Sequence, residues 1–241
     1  MEKIIATATA NAGVVLQIGG HRLWEDAVHN ENTAHFSIVT DEMFDRLLND
    51  PEFREPEAML FTHAHNDHFS RQLVRKALEV FPDTQVYVEG NRGMDRQIRL
   101  REDVEEFDLS DLHLTFFRLT HDGKQFENVK HYGILLEKGD TKVLFPGDCH
   151  VDEPGLCAFL ESRGLIGKID LAFFNFPWVA LNTGRAGIEK IGAKHCVFYH
   201  LPYEGDDSWG YRRQVFKMAQ NYAEGNDWRV FGEPFQKEIF E

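Results

Sequence analysis

A chain of 241 residues, 42% of them hydrophobic, is long enough to bury a large core and too apolar to stay disordered. Its 26 basic and 40 acidic residues give a net charge of −14, which makes nucleic acid an unfavourable partner, because nonspecific binding needs basic surface to release counterions. No apolar run approaches the ~20 residues that cross a bilayer, Met1-Glu2-Lys3-Ile4-Ile5 lacks the regions of a signal peptide, and three cysteines without paired spacing suit a reducing compartment. A cytoplasmic protein with no membrane partner is expected. A small anionic substrate stays open, since a basic pocket or bound metal can reverse an acidic field locally, and so does a homo-oligomer.

In chain order, Val14 to Ile18, Gly19-Gly20 and His21 to Trp24 read as a hairpin. Asp41 to Leu48 follows Thr40 as a short helix that Asn49-Asp50-Pro51 ends. Pro56 to Phe61 is a short buried strand, and Ser70 to Val80 has helical spacing with Ser70 as the N-cap. Gln85 to Val88 is a strand and Met94 to Leu100 is expected as another short helix. Leu112 to Leu119 returns to strand, Tyr132 to Glu137 and Lys142 to Phe145 form a hairpin, and Pro154 to Glu161 is helical. Leu171 to Phe174 and Cys196 to Tyr199 are short apolar strands, and Ser208 to Ala223 is expected as the last long helix with Ser208 as its cap. Two strand-rich blocks, each followed by helices, suggest two sheets face to face with helices outside, within one domain over residues 1–241.

The loop between Phe61 and Ser70 carries the chemistry. His63, His65, Asp67 and His68 place three imidazoles and a carboxylate within six positions. These are the donors that borderline divalent metals prefer. Each would need its own partner if buried, and one metal can serve several. His63 and His65, two apart, can converge on one ion, while Asp67 and His68 can turn toward a second. The plainer reading, a polar loop with chance histidines, is disfavoured by how tightly the donor types cluster. Three later strands also end in a potential ligand: His121 after Leu119-Thr120, Asp148 after Pro146-Gly147, and His200 after Tyr199. Each alone is weak, but together they supply enough donors for two metals.

With these residues in place the chain resembles the metallo-β-lactamase superfamily, through the unbroken His-x-His-x-Asp-His of His63 to His68 and the Gly147-Asp148 pair. The resemblance runs from Asn11-Ala12-Gly13-Val14 to His200. It implies an α/β fold, the four-layer αβ/βα sandwich. It also implies that His63, His65 and His121 hold one metal, that Asp67, His68 and His200 hold a second, and that Asp148 bridges them. Gly147-Asp148-Cys149-His150 looks like the Gly-Asp-Ser-His of the ascorbate-6-phosphate-lactonase-like branch, with Cys149 in place of the hydroxyl. Asp148, His68 and the missing signal peptide speak against the antibiotic-hydrolysing branch.

The expectation is therefore a hydrolase of small esters, lactones or phosphodiesters, in which a hydroxide shared by two divalent ions is the nucleophile and Asp67 orients it. Zinc suits the nitrogen and oxygen donors, and manganese or iron would also fit. The alternatives are a nuclease or cyclic-nucleotide phosphodiesterase on the same fold, or a non-catalytic, metal-stabilised module that binds a metabolite. His150, Arg92, Arg118 and Arg185 are weaker candidates for substrate contact, and Trp178 for a pocket wall. His21, His29, His35, His113 and His195 are expected to be structural or exposed, with His131 the one of the remaining histidines placed to approach the site.

Overall fold

The computed structural model describes residues 1–31, 36–152 and 154–241. His35 lies outside them. Two seven-stranded sheets form the molecule. In the first, strands β1 (Ile4–Ala8), β2 (Val14–Ile18), β3 (His21–Glu25), β4 (Ala58–Leu60), β5 (Gln85–Glu89) and β6 (Gln97–Leu100) lie side by side in sequence order. In the second, β7 (Val104–Leu109), β8 (Leu112–Leu119), β9 (His131–Lys138), β10 (Thr141–Phe145), β11 (Leu171–Asn175), β12 (His195–Tyr199) and β13 (Asp227–Val230) do the same. The last strand, β14 (Lys237–Phe240), returns to the first sheet and pairs antiparallel with β1. In each sheet the early strands are antiparallel neighbours and the later ones parallel.

Alternation along the strands builds the layers. Val14, Leu16 and Ile18 of β2 join Val143 and Phe145 of β10 in one buried cluster between the sheets. Their neighbours point outward: Val15 packs with Leu47 and Leu73 under helices α1 (Asp41–Asn49) and α2 (Arg71–Val80). Leu144 packs with Leu160, Ile188 and Val215 of α3 (Pro154–Ser162), α5 (Asn182–Ile191) and α6 (Tyr211–Asn221), and with Trp178 of the short α4 (Phe176–Ala180). A two-residue period thus feeds two cores from one strand, and the result is the expected αβ/βα sandwich.

Thr40 and Ser70 cap α1 and α2 as expected, accepting from Met43 N–H and Leu73 N–H. Two expectations fail. Met94 to Leu100 is not helical: Gln97–Leu100 pairs parallel with β5 as an edge strand. Met94 and Ile98 have the spacing of a helix face, but Gly93 and Arg96 take positive φ values of 60° and 59°, which a helix cannot contain. The last helix starts at Tyr211 and not at Ser208, after Gly210 in the left-handed region. Its N-terminal N–H groups are taken by Asp207, whose carboxylate accepts from Tyr211 N at 2.8 Å and Arg212 N at 3.0 Å.

Candidate metal centre

The strand registers, parallel in β3–β4 and β11–β12 and antiparallel in β8–β9, bring six strand termini to one edge. Glu25 of β3 lies opposite Leu60 of β4, and Leu119 of β8 opposite His131 of β9. Asn175 of β11 lies opposite Tyr199 of β12. His63, His65, Asp67 and His68 lie in the loop after β4, and His121, Asp148 and His200 come just after β8, β10 and β12, so the edge collects them, as open α/β sheets generally do. The two sheets are stitched there by Tyr132 N–H to the Thr62 carbonyl at 2.8 Å and His200 N–H to the Asn11 carbonyl at 3.1 Å. His200 holds a left-handed conformation (φ 58°), a costly one for a residue with a side chain, kept by this cross-sheet bond.

All seven predicted ligands meet. His63, His65 and His121 form one group and Asp67, His68 and His200 another, with the donor atoms of each within 4.8 Å of one another. His63 Nε2 lies 3.0 Å from His65 Nδ1 and 3.2 Å from His121 Nε2. His68 Nε2 lies 3.1 Å from His200 Nε2, which is 3.7 Å from Asp67 Oδ2. Asp148 Oδ2 stands between the groups, 3.2 Å from His68 Nε2, 3.3 Å from His200 Nε2 and 3.9 Å from His121 Nε2. Ligands at ~2.0–2.1 Å in a tetrahedron are ~3.3 Å apart, so the nitrogen spacings are those of a coordination shell.

The surrounding hydrogen bonds fix which ring nitrogens are available. Asp26, fully buried, accepts from Thr62 N–H at 3.0 Å, Thr62 Oγ1–H at 2.6 Å and His68 Nδ1–H at 2.7 Å. Thr62 Oγ1 has then spent its proton and accepts from His63 Nδ1–H at 3.0 Å. His121 Nδ1–H donates to the Asp122 carbonyl at 2.6 Å. In this network His63, His68 and His121 all carry the proton on Nδ1 and turn an Nε2 lone pair inward. Lone pairs about 3 Å apart repel unless a cation lies among them, so the donor set fits divalent metal ions. Asn175 Nδ2 donates to Asp148 Oδ1 at 3.3 Å, which steadies that carboxylate, and Asn11 Nδ2 donates to the Asp67 backbone carbonyl at 3.1 Å, which steadies the loop.

The electrostatics ask for the same charge. Burial pushes His63 well below its ordinary value, reinforced by His68, and burial and His121 lower His65. Both are thereby kept neutral, as ligation requires. Burial also opposes a charge on His68, but Asp148 and Asp26 outweigh it and raise its pKa well above the usual imidazole range. Burial would raise Asp148, yet His200 and His68 prevail and hold it well below the carboxylate range. Positive charge is wanted at this point, and a metal would supply it in place of the proton.

The weaker candidates separate clearly. His131 does approach, its ring centre 5.2 Å from that of His63 and 5.5 Å from that of His121; burial drives its pKa down to about 3. Trp178 is buried in the outer core and is not among the residues that line the cavity over the cluster. Arg185 donates to the Val179 carbonyl and to Asn182, and Arg118 lies over the Tyr132 ring at 5.1 Å. His150 accepts from Asp152 N–H at 3.1 Å and is half-exposed. Arg92 pairs with Glu89 in a cleft beside the metal loop. His21, His29, His113 and His195 hold structural bonds to Glu57 and Asp111, to the Ala10 carbonyl, to Asp108 and to Asp227. Sequence reasoning missed Asp26 and Asn175. Asp26 ends a strand just as the ligands do, and that was the available signal.

No family model and no curated protein matches the chain. Solved structures do match it in fold. Igni18, a metallo hydrolase from Ignicoccus hospitalis, superposes with a TM-score of 0.66 at 14% identity over 99% of both chains. YhfI, a metallo-β-lactamase fold protein from Bacillus subtilis, gives 0.65 at 15% identity over 99% of this chain and 100% of its own. CmlA, a diiron β-hydroxylase from Streptomyces venezuelae, gives 0.65 at 13% identity. It is matched along 100% of this chain, which spans about half (54%) of CmlA. The chain therefore has the metallo-β-lactamase fold, with a cluster of histidines and aspartates able to hold metal at the edge of its sheets.

Proposed function

We propose that this protein is a metal-dependent hydrolase of a small ester, lactone or related electrophile. The observation that carries the reading is the convergence of inward-turned imidazole nitrogens in two groups with Asp148 between them. His63, His65 and His121 would hold one divalent ion and Asp67, His68 and His200 the other, with Asp148 shared. Two such ions, when bound, would supply Lewis acidity and lower the pKa of a coordinated water toward neutrality. Asp67, which lines the cavity with its Oδ2 3.7 Å from His200 Nε2, would orient that water and take its proton. Asp26 holds His68, and through Thr62 also His63, in the tautomer that keeps Nε2 inward. The donors suit zinc, iron or manganese. Gly147-Asp148-Cys149-His150 is the feature that speaks for a lactonase-like substrate.

The test is turnover of the metal-supplied chain on thioesters, lactones and bis(p-nitrophenyl) phosphate. Hydrolysis that a chelator abolishes, with metal and nearly all turnover lost in His65→Ala, supports the reading. Full metal content and activity in that variant would overturn the assignment. A metal-loaded chain inert across all three panels is a binding module and not an enzyme, and preference for the phosphodiester would place it with the phosphodiesterases.

A further inference from the structure

The cavity over the cluster has walls that the metals do not explain. It measures about 580 Å3, with His65, Asp67, His121, Asp148 and His200 at its floor. Phe126, on a single helical turn after His121, stands on one side, its ring 4.9 Å from that of His65 and 5.0 Å from that of His121. Phe36 stands on the other side, 4.4 Å from the His200 ring and edge-on to it. Phe176 continues this wall, 6.5 Å from Phe36 and stacked on Tyr211 at 4.6 Å. All four aromatics are half-buried, with surface left to meet a ligand.

The charge of the wall is as telling as its shape. Among the described residues that line the cavity there is no lysine or arginine. Residues 32–35 read Asn-Thr-Ala-His and add neither. Asp122 brings a further carboxylate to the lining. An anionic group lying beyond the reacting atoms would meet carboxylate and aromatic faces with no counter-charge. Cations do gather next door: Arg71, Arg75, Lys76 and Arg92 line a separate cleft of about 850 Å3 that meets this cavity at Ala64 and Asn66. There Arg92 is committed to Glu89 and Arg75 to the Gly93 carbonyl at 2.7 Å.

We infer that the cavity is a specificity subsite for an uncharged aromatic group of the substrate, held between Phe126 and the Phe36–Phe176 wall while the reacting bond lies over the cluster. This inference rests on the hydrolase reading and narrows its substrate class. Aromatic faces at offset or edge-on distances add to simple burial of the ring, and a pocket without cations rejects the anionic alternative.

The experiment uses the full metal-loaded chain and two thiols that ligate borderline metals, phenylmethanethiol and 3-mercaptopropionate, with binding read by calorimetry. Phenylmethanethiol should bind at least about tenfold more tightly. Phe126→Ala and Phe36→Ala should each remove most of that preference while metal content stays unchanged. In parallel, the 4-nitrophenyl ester of phenylacetic acid should be hydrolysed faster than the 4-nitrophenyl monoester of succinic acid. Equal or tighter binding of 3-mercaptopropionate overturns the subsite and directs the substrate's tail to the basic cleft. Thiol preference with no hydrolysis of either ester or of the thioesters, lactones and phosphodiester leaves the subsite standing and removes the hydrolase reading. Hydrolysis without preference does the reverse, and a chain that takes up no metal overturns both.

Discussion

Asp26→Asn separates the two halves of the metal centre. The Asp26 carboxylate accepts three hydrogen bonds with no solvent access: Oδ1 takes Thr62 N–H, while Oδ2 takes Thr62 Oγ1–H and His68 Nδ1–H. An amide has one accepting oxygen. If that oxygen replaces Oδ2, the new NH2 faces the Thr62 N–H, and a buried donor loses its acceptor at a cost of about 1–3 kcal/mol. If it replaces Oδ1, the NH2 faces His68 Nδ1, and the imidazole can accept there only by moving its proton to Nε2, away from ligation. Changes of this kind behind a ligating histidine typically cost about 10–100-fold in metal affinity. The expected outcome is one site weakened by that factor, because His68 belongs to the group with Asp67 and His200, and the other nearly unchanged. His65 and His121 do not touch Asp26, and His63 is linked to it only through Thr62. Competition with a chromophoric chelator, fitted to two sites, reads both affinities. Two ions bound with wild-type affinity would refute the tautomer argument.

Gly147→Ala should destabilise the chain and lower its metal content, because Gly147 has φ +61° and an added Cβ would meet His131 Nε2 at 2.6 Å and Thr62 Cγ2 at 2.9 Å. The left-handed conformation and the overpacking together suggest about 2–4 kcal/mol, read from urea unfolding; an unchanged midpoint would contradict it. Asp207→Ala should cost about 1 kcal/mol by the same assay, through loss of the two N–H partners at the start of α6. His21→Asn should cost more melting temperature at pH 6 than at pH 8.5. Burial of His21 opposes its charge, but hydrogen bonds to Asp111 and Glu57 prevail and raise its pKa. A raised imidazole pKa gives stability that is full below the unfolded value of ~6.5 and lost as pH rises through the folded value. An equal loss at both pH values would show that His21 carries no net charge there.

What could be read along the chain was what is local. The donor types of His63 to His68, the Ser70 and Thr40 caps and the apolar strands leading to His121, Asp148 and His200 are all neighbours in sequence. Edge strands were harder. Gln97–Leu100 and Val104–Leu109 bury little, so their apolar residues do not alternate cleanly, and the first imitates a helix. The cap of α6 lay one residue before the expected serine because Gly210 delays the first turn. Asp26 shows its strand-end position in the sequence but not its role: its partners are 36 and 42 residues away, and only the register of β3 against β4 brings them to it. The aromatic walls have the same character. Phe36, Phe126 and Phe176 come from three separate connections, and any one of them alone reads as ordinary packing.

Diffraction data from metal-supplied crystals, collected at the zinc, iron and manganese edges, decide whether two ions sit on the named donors. Two anomalous peaks are predicted, one among His63, His65 and His121 and one among Asp67, His68 and His200, with Asp148 reaching both. The edge at which they appear names the metal. A fully supplied crystal with no peak inside the cluster, or with a single peak and Asp148 turned away from it, would overturn the two-ion assignment.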